Sequence, residues 1–201
     1  MRTEPPYRMD DPEEVRRLVR RHPWATLVSA TEAGLVASHY PVLLDEAADG
    51  LALFSHVGRP DEERHELGRH EVLVVVQGPQ HYVSPSWYPP EQVVPTWNHV
   101  TVHLWGTPRL LGPEENWAAL AALTDHLEAG RPGARRLAED EAGTRALARG
   151  TVGFHLRVDR FEGRAKLSQD KAPEVVRSVV EHLDGLDPAL AAEMRRHHGG
   201  R

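Results

Sequence analysis

The 201-residue chain contains no cysteine. That excludes disulfides, thiolate metal sites and cysteine nucleophiles, and it points to a reducing, cytoplasmic compartment. Long apolar runs are also missing. Leu73 to Val76 is among the longest, far short of the roughly 20 residues that span a bilayer, and MRTEPPYRMDDPEEV has no apolar core of the kind a secretion signal needs. Long basic runs are absent too. With 24 Lys and Arg against 30 Asp and Glu, the net charge of -6 offers little attraction for nucleic-acid phosphates, so direct DNA binding is not expected. No G-x-S-x-G elbow, Ser/His/Asp order, phosphate-cradling glycine loop or HExxH helix is found, which leaves hydrolase and kinase chemistry without support. Any chemistry would fall to a cofactor, with the protein supplying orientation and electrostatics.

The elements that are present read as short strands with helices at the ends. Asp11, Pro12 and Glu14 mark a helix start, running to about Arg21. Strands follow at 24–30, 35–45, 51–56 and 71–78, with a short helix near Pro60. A proline-rich loop at 79–95 leads to a long strand at 97–111. A helix is expected at 113–129, with Trp117, Leu120, Leu123 and Leu127 on one face, and another at 139–149. A strand at 151–163 alternates Val152, Phe154, Leu156 and Val158, KLSQ follows a turn, and 173–198 is helical before a frayed HHGGR. Tight turns between consecutive strands predict an antiparallel barrel or strongly bent sheet. The expected organisation is one domain over 1–201, with an inserted helical segment at about 113–149 and a C-terminal helical tail at about 173–198.

The densest information lies in QGPQHYVSPSWYPPEQVVPTWNHVTVHLWG, residues 77–106, which holds three of the five tryptophans. On its strand, Trp97, His99, Thr101, His103 and Trp105 alternate with Asn98, Val100, Val102 and Leu104. A period of two places these sets on opposite faces. The valines and leucine suit a core, while the aromatic and imidazole face suits a planar ligand, a pocket or another subunit. Trp87, Tyr88, Thr96, Trp97 and Asn98 supply flat faces and amides, either for packing across an interface or for ligand contact. Ser55, His56 and Arg59 stand at a strand-to-helix junction, where small residues, amides and a cation suit a phosphate; Asp61, Glu62 and Glu63 oppose an anion there unless they point away. The alternative is a solvated turn.

Taken in order, HPWATLVSA, GLVASHYPVLLD, FSHVGRP, QGPQHYVSPSWYP, VVPTWNHVTVHLWG, LTDHLE, GTVGFHLRV and EGRAKLSQD resemble the PaiB-like family of FMN-binding negative transcriptional regulators, over nearly the whole chain. The resemblance implies a mainly β fold with peripheral helices (α+β), a homodimeric split β-barrel of the flavin-reductase type with FMN between subunits, and the label of repressor. It implies that the junction carrying Ser55, His56 and Arg59 receives the FMN phosphate, and that Ser38 and His39 lie against the isoalloxazine edge. Of the flat faces and amides, Trp97 and Asn98 are the candidates for ligand contact; Lys166 and Ser168, on one face of a short strand, and Gln169 at its end would serve a phosphate or ribityl chain from the partner subunit, a reading the family motif favours over Lys166 pairing with a surface acid. The chain departs from the family pattern in the acids after FSHVGRP, a shortened connection at Glu91 and Gln92, and Asp170 after KLSQ. Each change removes positive charge or amide donors and predicts a weaker hold on phosphate.

The 13 histidines raise a metal or haem reading. His99 and His103 are four apart on a strand, about 13 Å, too far to share an ion, so no metal site is expected. Haem remains an alternative because one imidazole suffices. Arg16, Arg17, Arg20 and Arg21 are the best candidate for DNA contact, against which stands an ordinary solvated helix face. The expectation is an FMN-binding homodimeric regulator whose effect on DNA is indirect or assisted by a partner. The alternatives are an FMN-dependent oxidoreductase acting on a small molecule and a haem-binding or haem-degrading protein.

Overall fold

The computed structural model describes residues 4–199. Helix α1, Pro12–Arg21, begins where the Asp11 carboxylate accepts the Glu13 N–H at 2.9 Å, with Glu13 and Glu14 in its first turn and Arg20 and Arg21 in its last. That distribution complements the helix dipole. Its apolar stripe, Val15, Leu18 and Val19, is fully buried. The chain then divides into two units, one made of residues 16–76 and 103–161, the other of 1–15, 77–102 and 162–201.

In the unit of residues 16–76 and 103–161, β2 (Trp24–Thr31) and β3 (Gly34–Pro41) form a hairpin registered Thr31 to Gly34 and Trp24 to Pro41. Gly34 has φ +113°, a conformation that favours glycine. β2 also pairs with Val72–Val76 of β6 (Val72–Val83). A second sheet has the order β4-β5-β9-β8, from Leu43–Leu44, Ala52–Gly58, Thr151–Arg157 and Arg109–Leu110. The strand expected at 35–45 therefore breaks. Pro41 has no N–H for a ladder, and the Val42 N–H turns to the Pro23 carbonyl at 2.7 Å, so the next two residues join the other sheet. Leu27, Val72, Val74, Leu53, Val57, Leu104, Phe154 and Leu156 are buried from both sheets.

The long central strand also ends early. β7 runs Thr96–Gly106, and Pro108 separates it from β8. A Cβ on Gly106 would lie 2.2 Å from the Arg157 carbonyl oxygen, so this crossing admits no side chain. Likewise the strand expected at 151–163 divides at Val158 and Asp159, whose N–H groups donate to Leu51 and Trp105 at 2.9 and 2.8 Å, before β10 (Arg160–Lys166). Helices α2 (Arg59–Arg64), α3 (Pro113–Glu128) and α4 (Glu141–Ala148) complete the unit. The buried stripe of α3 is Asn116, Ala119 and Leu123; Leu127 is exposed and Trp117 lies under the Arg145 guanidinium, 4.2 Å from its ring centre.

In the other unit the strands run β1-β10-β7-β6, with β1 (Arg8–Met9) antiparallel to β10. β6 continues through Pro79 to Val83, so the loop expected from 79 begins at Ser84. Pro79 lies past Val76, the last residue of β6 that pairs with β2. Helices α5 (Pro173–Leu183) and α6 (Pro188–Gly199) bury Val175, Val176, Val179, Val180 and Leu183 with Leu190, Ala191 and Met194. His197, His198 and Gly199 continue α6; the last two residues of the expected frayed end lie outside the described residues.

Replacing Gly106 by alanine forces the backbone at Arg157 to move, an overpacking that costs about 1–3 kcal/mol. For a chain of this size the expected fall in Tm is roughly 2–4 °C per kcal/mol, read by calorimetry against alanine at the open, solvent-facing Gly185 as a control.

Candidate functional site

The expected site residues divide between the two units. Ser38, His39, Ser55, His56 and Arg59 fall in one; Trp97, Asn98, Lys166, Ser168 and Gln169 fall in the other.

Strand alternation on β3 separates Ser38 and Tyr40 from His39. His39 is exposed, stacked on Trp24 at 6.4 Å and 23°, with Nδ1 3.0 Å from the Thr26 hydroxyl. Beside it Leu35 is 81% exposed and Trp24 63%, which gives β2 and β3 an open, partly aromatic face. On the opposite face the Ser38 hydroxyl donates to Asp61 of α2 at 3.4 Å, and the Tyr40 hydroxyl donates to the same carboxylate oxygen. His65, fully buried, completes a chain: its Nε2 is 2.9 Å from Ser38 Oγ and its Nδ1 2.8 Å from Ser29 Oγ. The neutral ring can thus donate to one serine hydroxyl and accept from the other. Burial, reinforced by the Asp61 hydrogen bond and charge, pushes the Tyr40 phenol up to about 12. Burial also lowers the His65 pKa, Asp61 partly opposing it.

Ser55 is fully buried and its hydroxyl donates to the Pro41 carbonyl at 2.6 Å, so it secures the sheet-to-sheet bend and has no proton to spare for a ligand. His56 is half-buried, edge-on to Tyr40 at 6.5 Å, and its Nδ1 is buried without a hydrogen-bond partner. Burial lowers its pKa. Arg59 donates Nε to the Arg149 carbonyl at 2.6 Å, and its backbone N–H goes to the Gly150 carbonyl at 3.1 Å. Its two terminal nitrogens remain for a ligand, on a cavity of about 510 Å³ also lined by Glu62, Glu114, Trp117, Arg145 and Arg149. Of the acids that follow FSHVGRP, Asp61 is engaged by Tyr40 and Ser38, whereas Glu62 shares the cavity with Arg59.

In the second group Trp97 is exposed, donating Nε1 to Gln80 at 2.5 Å and tilted against Tyr82 at 6.1 Å. Trp87 is sandwiched between His182 at 5.1 Å and His81 at 6.2 Å. Asn98 is on the other face of β7 and fully buried; Nδ2 donates to Ser168 Oγ at 2.8 Å, while Oδ1 has no partner. The expected short strand at Lys166 to Gln169 is a turn. β10 stops at Lys166, Ser168 has φ +64°, and the Gln169 amide closes the turn by accepting from the Leu167 N–H at 2.6 Å and donating to the Ala165 carbonyl. Lys166 and Ser168 therefore share no strand face. Lys166 is half-buried, donates to Thr96 Oγ1, and burial lowers its pKa.

Sequence reasoning missed Tyr40, Ser29 and His65, and weighed Asp61 only as a charge opposing an anion. Alternation on 35–41 was a usable signal for Tyr40, since it places that residue beside Ser38; nothing local distinguishes His65 among neighbouring polar residues.

This is a mixed α/β fold. The chain belongs to the PaiB-like family: the family described as "Putative FMN-binding domain" matches residues 1–160. It is 28% identical over 197 residues to the "Protease synthase and sporulation protein PAI 2" of Bacillus subtilis (strain 168), covering 94% of this chain and 91% of that one. Its fold is similar to that of the FAD and heme binding protein from Mycobacterium smegmatis, with TM-score 0.63, 20% identity and coverage of 86% and 80%. It is also similar to the flavocytochrome Anf3 from Azotobacter vinelandii, with TM-score 0.58, 14% identity and coverage of 79% and 69%.

Half-buried His56 and fully buried His65 both have pKa values below the ordinary 6.5. Below about pH 6.5 the unfolded chain takes up protons that the native state refuses, so stability is full above that pH and falls as the pH drops. Urea midpoints at pH 7.5 and 5.5 test this. His65→Gln is expected to flatten the difference and to lower stability at pH 7.5 by about 1–3 kcal/mol through unpaired serines.

Proposed function

We propose that this chain binds FMN or a closely related flavin as a homodimer and acts as a regulator whose influence on DNA is indirect or partner-assisted. The observation that carries the flavin reading is the donor set on β5 and α2. Arg59 keeps two uncommitted guanidinium nitrogens on a cavity, and His56 keeps a buried ring nitrogen without a partner, while Asp61 is held away by Tyr40 and Ser38. These residues fit an anionic group bonded to a polar chain, which is what a flavin nucleotide presents. In that role Arg59 would hold the phosphate and His56 would donate to or accept from the ribityl side. When bound, a flavin supplies hydride and electron transfer, and the protein's part is to fix the ring and exclude water. Ser38 and Tyr40 would set the polarity beneath it, with Tyr40 kept protonated across the physiological range.

The family relationship supports the same reading. Direct DNA binding gains no support from α1. Arg20 makes a two-pronged pair with Glu46 at 2.7 and 2.9 Å, and Arg16 donates to the Gly50 carbonyl with Glu46 3.9 Å away. Arginines already paired with a carboxylate gain less from a phosphate.

Titration of FMN into the purified protein by calorimetry tests the cofactor assignment. Arg59→Ala should weaken binding about ten- to a hundredfold, the worth of one charge-assisted contact at about 1.5–3 kcal/mol. An unchanged Kd moves the phosphate elsewhere, and no binding by the wild type at millimolar FMN overturns the flavin reading.

Homodimerisation rests on a separate patch. Tyr82 near the end of β6, Val93 and Val94 in the proline-rich connection, and Trp97 at the start of β7 are all exposed. Trp87, committed between two imidazoles, is the weaker candidate for that contact. Sedimentation at micromolar concentration should show a dimer that Trp97→Ala weakens; a wild-type monomer under those conditions would refute it.

A further inference from the structure

A cavity of about 740 Å³ lies among the turn after β10 and helices α5 and α6, within one unit, and neither Arg59 nor His56 lines it. Its volume is in the range that holds small organic molecules. Val176, Val180 and Met194 form an apolar floor set back from solvent. Around them stand Lys171, Arg177, Arg195 and His198, with Glu181 as the one lining carboxylate among the described residues. In a chain with net charge -6 this is a local reversal of sign.

The cations are not equally available. Arg195 is engaged by Asp184. Lys171 lies 3.5 Å from Asp170 and 5.4 Å from the centre of the Tyr88 ring. His198 has Nε2 2.9 Å from the Leu167 carbonyl, so that nitrogen carries the proton and donates. Gln169 has both ends of its amide spent on the turn. Arg177 is exposed, and no hydrogen bond or ion pair to it occurs among the described residues. One uncommitted guanidinium above an apolar floor matches one negative charge on a hydrocarbon body. The body would remove apolar surface from water, and the acid group would take a two-pronged bond from the planar fork. A dianion would need a second free cation, which the paired Arg195 does not offer.

We propose that the cavity between α5 and α6 is a binding site for a small amphipathic monocarboxylate, with Arg177 as its charge partner and Val176, Val180 and Met194 as its apolar seat. The proposal does not rest on the flavin reading, whose Arg59 and His56 do not line this cavity.

The experiment is calorimetric titration of the full-length protein with octanoate, and with octanol and octylamine as neutral and cationic counterparts. Octanoate is expected to bind saturably at one site per chain, octanol more weakly, and octylamine not at all over the same range. Arg177→Gln, an exposed substitution that leaves the helix packing intact, should reduce octanoate affinity about tenfold or more and leave FMN titration unchanged. A second variant, Val180→Asp, places a carboxylate on the floor and should abolish octanoate binding, with circular dichroism confirming the fold. Absence of saturable octanoate binding overturns the proposal. So do equal binding of octylamine, an unaltered affinity in Arg177→Gln, or competition between octanoate and FMN.

Discussion

The Asp61 carboxylate is the contact on which the first group of site residues depends. It sits on a helix of six residues that has no internal stability to speak of, and it is held to β3 by the hydroxyls of Tyr40 and Ser38. That attachment does three things at once. It anchors α2 and so fixes the residue at its head, Arg59. It removes one of three consecutive acids from the neighbourhood of that arginine. Through Ser38 it also reaches His65, whose Nε2 lies 2.9 Å from the same hydroxyl.

The imidazoles in these groups share one physical condition. His56, His65 and His99 are each driven toward the neutral form mainly by burial. Neutral rings are both donors and acceptors, so each needs a partner of defined polarity. His65 has two serines, whereas His56 is left with an unpartnered nitrogen. An orphaned buried polar atom carries a desolvation cost that an incoming ligand can relieve. The same condition holds for Asn98, whose amide nitrogen is satisfied by Ser168 while its oxygen is not.

Charge is distributed unevenly over the chain. The arginine-rich helix α1 has its positive charge partly answered by Glu46, while the α5 and α6 cavity gathers cations against a single lining carboxylate among the described residues. Composition alone treats these clusters alike. What separates them is whether a carboxylate from another element lies within hydrogen-bonding range. This is a property of packing, and it decides which cations remain for a ligand.

Much of the secondary structure was legible. Alternation on 24–30 and 151–157, the Asp-Pro start of α1 and the prolines heading α3 and α5 all act locally, so their elements formed where the sequence placed them. The family motifs carried the membership, while Arg59 and His56 were nominated from their strand-to-helix junction and from those motifs together. Strand ends were not legible, because Val42, Val158 and Asp159 leave their ladders to donate to carbonyls distant in sequence. Nor was the KLSQ turn, since Ser168 takes a left-handed conformation that its side chain alone does not demand. By itself the sequence determined a cysteine-free, acidic chain of short strands and amphipathic helices with a recognisable set of motifs. Only tertiary structure decided that Ser55 and Gln169 are spent on the fold, that His65 is buried, and that Arg59 and Arg177 keep free donors, because availability depends on which groups from other elements come within about 3 Å.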